Sequence, residues 1–224
     1  MSLNSSLTII EQTEHIIVVI KPAGMLSVPA RTSNDPRPVL GKILEQELKR
    51  QIYPVHRLDE EVSGIMLYAL SASAHKFFSQ CFENHLIEKT YLALSSGHHQ
   101  LNQPEEWQSL LMRGKKRAYE APFGKKSITF ARCLKNLSYQ NQPTSLWKLF
   151  PKTGRGHQLR FELFKHQHPI IGDSLYGSTL SWEIPNAIAL VSTEILLPAS
   201  CTQAPWNLSN TYRYLEHPFK SFGA

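Results

Sequence analysis

The chain has 224 residues, 42% of them hydrophobic and 19% charged, with a formal net charge of +6. These values bound it to a soluble globular protein of one domain with a real core. No apolar run approaches the roughly 18 residues that span a bilayer, Met1 to Thr8 lacks the features of a signal peptide, and the scattered Cys81, Cys133 and Cys201 form no Cys-x-x-Cys pair, which excludes a disulfide framework and fits a reducing cytoplasm.

Residues 1–6 read as a frayed tail, with the domain expected over 7–224. Leu7 to Ile10 and Ile16 to Ile20 read as strands around a turn at Glu11 to His15. The β-branched run Ile16-Ile17-Val18-Val19-Ile20 fits a central buried strand. Lys21-Pro22-Ala23-Gly24 ends it, and Ala30 to Arg37 reads as an exposed loop. A helix is predicted from near Pro38, with Val39, Leu40, Ile43, Leu44 and Leu48 on one face. Val55 to Gly64 then forms a loop carrying Asp59 ahead of a buried strand, Ile65 to Leu70. Ser71 can cap a second helix, whose Ala74, Phe77, Phe78, Cys81 and Phe82 read as core rather than as a base-stacking platform.

Leu86 to Leu94 is the next predicted strand and carries Tyr91. His98 to Lys126 reads as a long polar insertion, the least regular region, in which Lys115-Lys116-Arg117 and Lys125-Lys126 form either a phosphate-contacting finger or a solvated hairpin tip. Ser127 to Leu134 and Thr144 to Phe150 read as an antiparallel pair joined by Asn136 to Pro143. A helix is predicted within Gly154 to His166, with Leu159, Leu163 and Phe164 inward, followed by a strand at Ala187 to Ile195. The tail from Pro198, with Trp206, Tyr212 and Tyr214, is expected to pack over the domain surface. Strands with few helices and no regular βαβα alternation argue for an α+β fold with a largely antiparallel sheet.

Several chemistries lack their residues. His98-His99 and His166-x-His168 have no recognisable third ligand in the sequence, so no metal is expected. Gly-x-Gly-x-x-Gly, Walker-type and Gly-x-Ser-x-Gly motifs are absent, which removes the usual nucleotide-cofactor and serine-hydrolase readings. Asp59 and Arg57 share one loop, where they could form an ordinary surface ion pair or take part in chemistry. His56 could brace that loop or sit neutral in the core.

His56-Arg57-Leu58-Asp59, followed by Ser63-Gly64, resembles the catalytic motif of RluA-type RNA pseudouridine synthases. Three more stretches match that family in the same order. They are Lys21 to Pro29, Glu88 to Ala93 with its Lys-x-Tyr pattern, and Thr153 to Arg160 together with Pro169 to Gly177. The resemblance implies a catalytic domain with a mixed, largely antiparallel sheet flanked by helices. No room is left for a small N-terminal RNA-binding domain of the S4 type.

It further implies an isomerase that turns uridine into pseudouridine in ribosomal or transfer RNA, without a cofactor. Asp59 would be the essential carboxylate, attacking C1′ or C6 or abstracting a sugar proton. Arg57 would help flip the base or brace the loop. Tyr91 would stack on the uracil and assist loss of the C5 proton. Arg160 would pair with Asp59, with Arg155 as the other candidate, and Leu159 would wall the base. His56, Lys115, Lys116 and Lys125 complete the expected substrate contacts. RNA is the expected partner, with no membrane or nucleotide cofactor involved, and the protein is expected to be a monomer in the cytoplasm. Two positions depart from the family: Val62 and Gly156 stand where hydroxyl residues are usual. A non-catalytic RNA-binding protein, or a glycosidase using Glu60, Glu61 and Asp59, are the competing readings.

Overall fold

The computed structural model describes residues 7–30, 35–100 and 103–223. The expected tail at 1–6 and part of the Ala30 to Arg37 loop lie outside the described residues. In chain order the elements are β1 (Ile9–Gln12), β2 (Ile16–Lys21), α1 (Leu40–Leu48), β3 (Tyr53–Pro54), β4 (Ser63–Ala69), α2 (Ala72–Glu83), β5 (Glu88–Ser96), β6 (Glu105–Arg113), β7 (Ala118–Glu120), β8 (Lys125–Tyr139), β9 (Gln142–Pro151), α3 (Gln158–Lys165), β10 (Leu190–Leu196) and β11 (Thr211–Arg213). The chain divides into two compact units, Met1–Ile87 with Ile195–Tyr214, and Glu88–Glu194 with Leu215–Ala224.

In the first unit β2 lies between β1 and β4, antiparallel to both, with Ile16 opposite Ala69 and Lys21 opposite Gly64. Every residue of β2 and β4 is buried, as the unbroken apolar runs require. Ser71 caps α2 by accepting from the Ala74 N–H, and Ala74, Phe78 and Cys81 point into the core beside Ile65, Leu67 and Ala69. The tail returns to cover this core: Trp206 stacks on Phe77 with ring centroids 5.0 Å apart, and Tyr212 is buried. The aromatic face of α2 is therefore core, as expected. Helix α1 begins two residues later than Pro38, because Val39 is extended in a bridge to Leu26, whose N–H donates to the Pro38 carbonyl at 2.9 Å.

In the second unit the strand order is β10-β5-β9-β8-β6-β7. The registers of β5 with β9, β9 with β8, β8 with β6 and β6 with β7 are all antiparallel. The expected α+β, largely antiparallel class holds, with a short parallel bridge between Leu26 and Val39. Three expectations are corrected here. Residues 98–126 are not an irregular insertion, since they carry the strands β6 and β7 and run into β8, although Leu101 and Asn102 lie outside the described residues. The period of two along β6 was obscured because the buried positions include Ser109 as well as Trp107 and Leu111, while Leu110 faces out. The β8–β9 connection is a two-residue turn at Gln140-Asn141, with φ of 50° and 59°, rather than a loop from Asn136 to Pro143. Finally, Phe164 is 40% exposed, while Leu159 and Leu163 are buried as expected. Six consecutive residues of α3, Gln158 to Leu163, are buried, so its polar residues must find partners inside.

Candidate active site

The candidate residues fall into two groups, one in each unit. In the first, Asp59 sits partly open in a loop whose neighbours are fixed. Leu58 and Val62 are buried on either side. The buried Ser27 hydroxyl donates to the Leu58 carbonyl at 2.7 Å and accepts its N–H at 3.0 Å. Lys21 is fully buried, and its ammonium donates to the carbonyls of Pro22, Met25 and Glu60 at 2.8, 2.7 and 3.1 Å. Gly24 N–H also donates to the Glu60 carbonyl, at 2.9 Å. The Lys21 to Pro29 motif thus holds the backbone of the Asp59 loop, a role with no local signature in the chain. Arg37 adds an ion pair to Glu60.

His56 Nε2 accepts the Leu67 N–H at 3.0 Å, and its ring stacks on Phe82 at 4.4 Å. It braces the loop against β4 and α2. Arg57 is exposed between the partly buried His56 and the buried Leu58. Ile65 and Met66 are strand core. Val62 fills a buried site, so the missing family hydroxyl is replaced there by apolar packing.

In the second unit Tyr91 is buried on β5, opposite Leu149 of β9. Arg160 is 2% exposed, and its Nε and Nη2 donate to the two carboxylate oxygens of Asp173 at 2.6 and 2.8 Å. This bidentate geometry is the strong form of such a pair. The Tyr176 ring lies 5.5 Å from the guanidinium carbon. Tyr176 Oη accepts the Ala118 N–H of β7 at 2.7 Å and lies 3.2 Å from His157 Nδ1. Burial pushes the Tyr176 hydroxyl up to about 12. The Gly172 to Gly177 motif therefore fixes Arg160, and Asp173 is a partner that the sequence reading missed. Its signal lies in the Pro169 to Gly177 motif, which contains Asp173.

Arg155 donates from Nε to the Lys126 carbonyl at 3.0 Å, which ties its loop to the start of β8. Gly156 is not the helix cap, since His157 occupies that position with φ of 57°. The Gln158 carboxamide secures this turn by accepting from Thr153 Oγ1 and Arg155 N–H. Leu159 is buried. Lys115, Lys116, Lys125 and Lys126 are all exposed, the first two at the β6–β7 tip. Between β7 and β8, Phe123 is 75% exposed, a prominent aromatic that the charge pattern did not single out.

The histidine pairs form a polar network instead of a ligand set. His99 Nδ1 lies 3.2 Å from His168 Nε2, and His99 Nε2 lies 2.7 Å from Glu105 Oε1. Burial lowers the pKa of His168 and of His166, and the His166 ring stacks on Trp107 at 4.4 Å. Among the described residues no group of three or more His, Cys, Asp or Glu is placed to hold a metal. No described helix is long and apolar enough to cross a membrane.

A family model described as RNA pseudouridylate synthase matches residues 15–165. A tRNA pseudouridine synthase C of Pasteurella multocida is 33% identical over 184 residues, covering 77% of this chain and 75% of the relative. A dual-specificity RNA pseudouridine synthase RluA of the same organism is 30% identical over 200 residues, covering 88% and 89%. Among solved structures, human RNA pseudouridylate synthase domain containing 1 superposes with a TM-score of 0.72 at 25% identity, covering 100% of this chain and 96% of that one.

Proposed function

The chain belongs to the RNA pseudouridylate synthase family, and from that premise we propose how its residues divide the reaction and which RNA they act on. The activity is that of an isomerase: the C–N glycosidic bond of a uridine breaks, the uracil turns, and a C–C bond joins it to the same ribose. The single observation that carries the assignment of residues is the family match over 15–165, which contains Asp59, Tyr91 and Arg160 in motif order.

Asp59 is the carboxylate that starts the reaction. Its support is the geometry of its loop: buried, hydrogen-bonded neighbours hold the backbone while its own side chain stays partly open to a substrate. Arg57, exposed two residues earlier, takes a phosphate or fills the gap left when the target base is flipped from its stack. Tyr91 provides a ring for the uracil and a hydroxyl for proton transfer at C5. Arg160, its guanidinium fixed by Asp173, is the positive charge assigned to the reacting site. Leu159 offers apolar surface to the base.

Lys115, Lys116 and Lys125 contact phosphates away from the reacting nucleotide, and the exposed Phe123 lies in the turn just before Lys125. Transfer RNA is the first substrate class to test, given the names of the relatives, with ribosomal RNA read in the same assay. The protein acts as a monomer without a cofactor. The three cysteines are free and buried, which supports a reducing cytoplasm.

Pseudouridine is mapped across total RNA from a strain lacking the gene, complemented with wild type or Asp59→Ala. A uridine modified with wild type and unmodified with Asp59→Ala is the expected result. Modification retained with Asp59→Ala overturns the assignment of Asp59.

A further inference from the structure

Lys89 has no function in the reading above, yet its environment is unusual for a lysine. It lies on β5 two residues before Tyr91, and the two-residue period of a strand puts both side chains on one face of the sheet. Its side chain is partly buried, and among the described residues its ammonium has no hydrogen-bond or ion-pair partner. Burial alone pulls its pKa down to about 8, with no charged neighbour contributing.

The amine points at the exposed Gly154 turn. A Cβ at Gly154 would meet nothing within 4 Å except Lys89 Nζ, at 3.7 Å. The absent side chain leaves room beside the amine for an incoming group. The charged residues next to that turn are Lys152 and Arg155, both cations, and the adjacent Glu88 falls on the opposite face of β5 and is exposed. A cation that has lost water, gained no carboxylate and faces an open glycine is suited to an anion from outside.

We propose that Lys89 is a substrate-binding residue that grips a backbone phosphate of the RNA at the nucleotide presented to Tyr91. This rests on the function proposed above. A phosphate restores to the ammonium the interactions that burial removed, so the amine becomes a stronger base once RNA binds. Free protein loses the ammonium charge as pH rises through about 8, while the RNA-bound form keeps it to higher pH.

The test uses the full chain as wild type, Lys89→Met and Lys89→Arg, with pooled unmodified tRNA transcripts. A wild type that binds and converts no RNA overturns the functional reading itself. With an active wild type, the variants isolate Lys89. Lys89→Met is expected to weaken RNA binding by about 10- to 100-fold and to make the slope of log affinity against log salt shallower by roughly 0.7–0.9, the loss of one phosphate contact. Lys89→Arg is expected to bind as wild type does and to move the alkaline fall of kcat/KM from about 8 to higher pH. An unchanged salt slope in a folded Lys89→Met protein, whatever its affinity, overturns the phosphate assignment. Should Lys89→Met fail to fold, the pH profile decides, and an alkaline limb identical in wild type and Lys89→Arg overturns the proposal.

Discussion

Replacing Asp173 with Asn tests the frame that holds Arg160. The two side chains are 2% and 1% exposed and joined by two short hydrogen bonds. Removing one member of a buried pair costs about 3–5 kcal/mol, because the remaining charge loses a counter-charge held at hydrogen-bond distance away from water. Asn keeps one oxygen in place, and the Tyr176 ring still lies 5.5 Å from the guanidinium, so the lower end, about 3 kcal/mol, is expected. With a urea m-value of about 2 kcal/mol per molar, the midpoint falls by about 1.5 M. Urea unfolding followed by tryptophan fluorescence reports this well, since Trp107, Trp147 and Trp182 all lie in the unit that contains the pair. A midpoint shift below about 0.5 M refutes the reasoning, because it would mean that Asp173 contributes little to holding the buried guanidinium.

Ser27→Ala removes both partners of the Leu58 backbone, so stability should fall by about 2 kcal/mol and kcat should drop at least tenfold as Asp59 loses its support; unchanged kcat in a folded variant counts against that role for Ser27. Reversing Lys115, Lys116 and Lys125 to Glu should weaken RNA binding and flatten its salt slope by about two to three contacts while leaving the melting temperature within a few degrees, because all three are exposed; an unchanged slope in an RNA titration removes the basic tip from the interface. Without RNA, Lys89→Met should be more stable than wild type at pH 7 by on the order of 1–3 kcal/mol, since the folded chain holds its lysine near 8 against an ordinary 10.5. The sign follows from a depressed lysine: the folded state is penalised while the amine is protonated, fully below about 8, and the penalty disappears as pH passes 10.5. Equal stability of the two proteins in thermal melts at pH 7 would show that the amine is not desolvated.

Much of this protein could be read from local sequence. Unbroken β-branched runs mark β2, and β4 is the apolar run after Ser63-Gly64. Ser71 and the spacing of Ala74, Phe78 and Cys81 mark α2 and its buried face. These features are local, because capping, periodicity and branching act within a few residues. The motif around Asp59, the Lys-x-Tyr strand and the Arg160 helix were also legible, and they supply the family and the candidate residues.

Only the tertiary structure decided what surrounds those residues. Nothing local joins Ser27 to Leu58, Lys21 to the Glu60 carbonyl, or Arg160 to Asp173, because each pairing spans a loop closed by packing elsewhere. β6 escaped notice because its inward face includes Ser109 and its outward face includes Leu110, a choice made by the neighbouring strands and not by side-chain polarity. The tight Gln140-Asn141 turn lacks the glycine that advertises such turns, and the long β8–β9 pairing imposes its positive φ values. Sequence supplied the family and the candidate groups. The fold decided which of them are braced, which are buried in pairs, and that the ammonium of Lys89 is left facing an open turn.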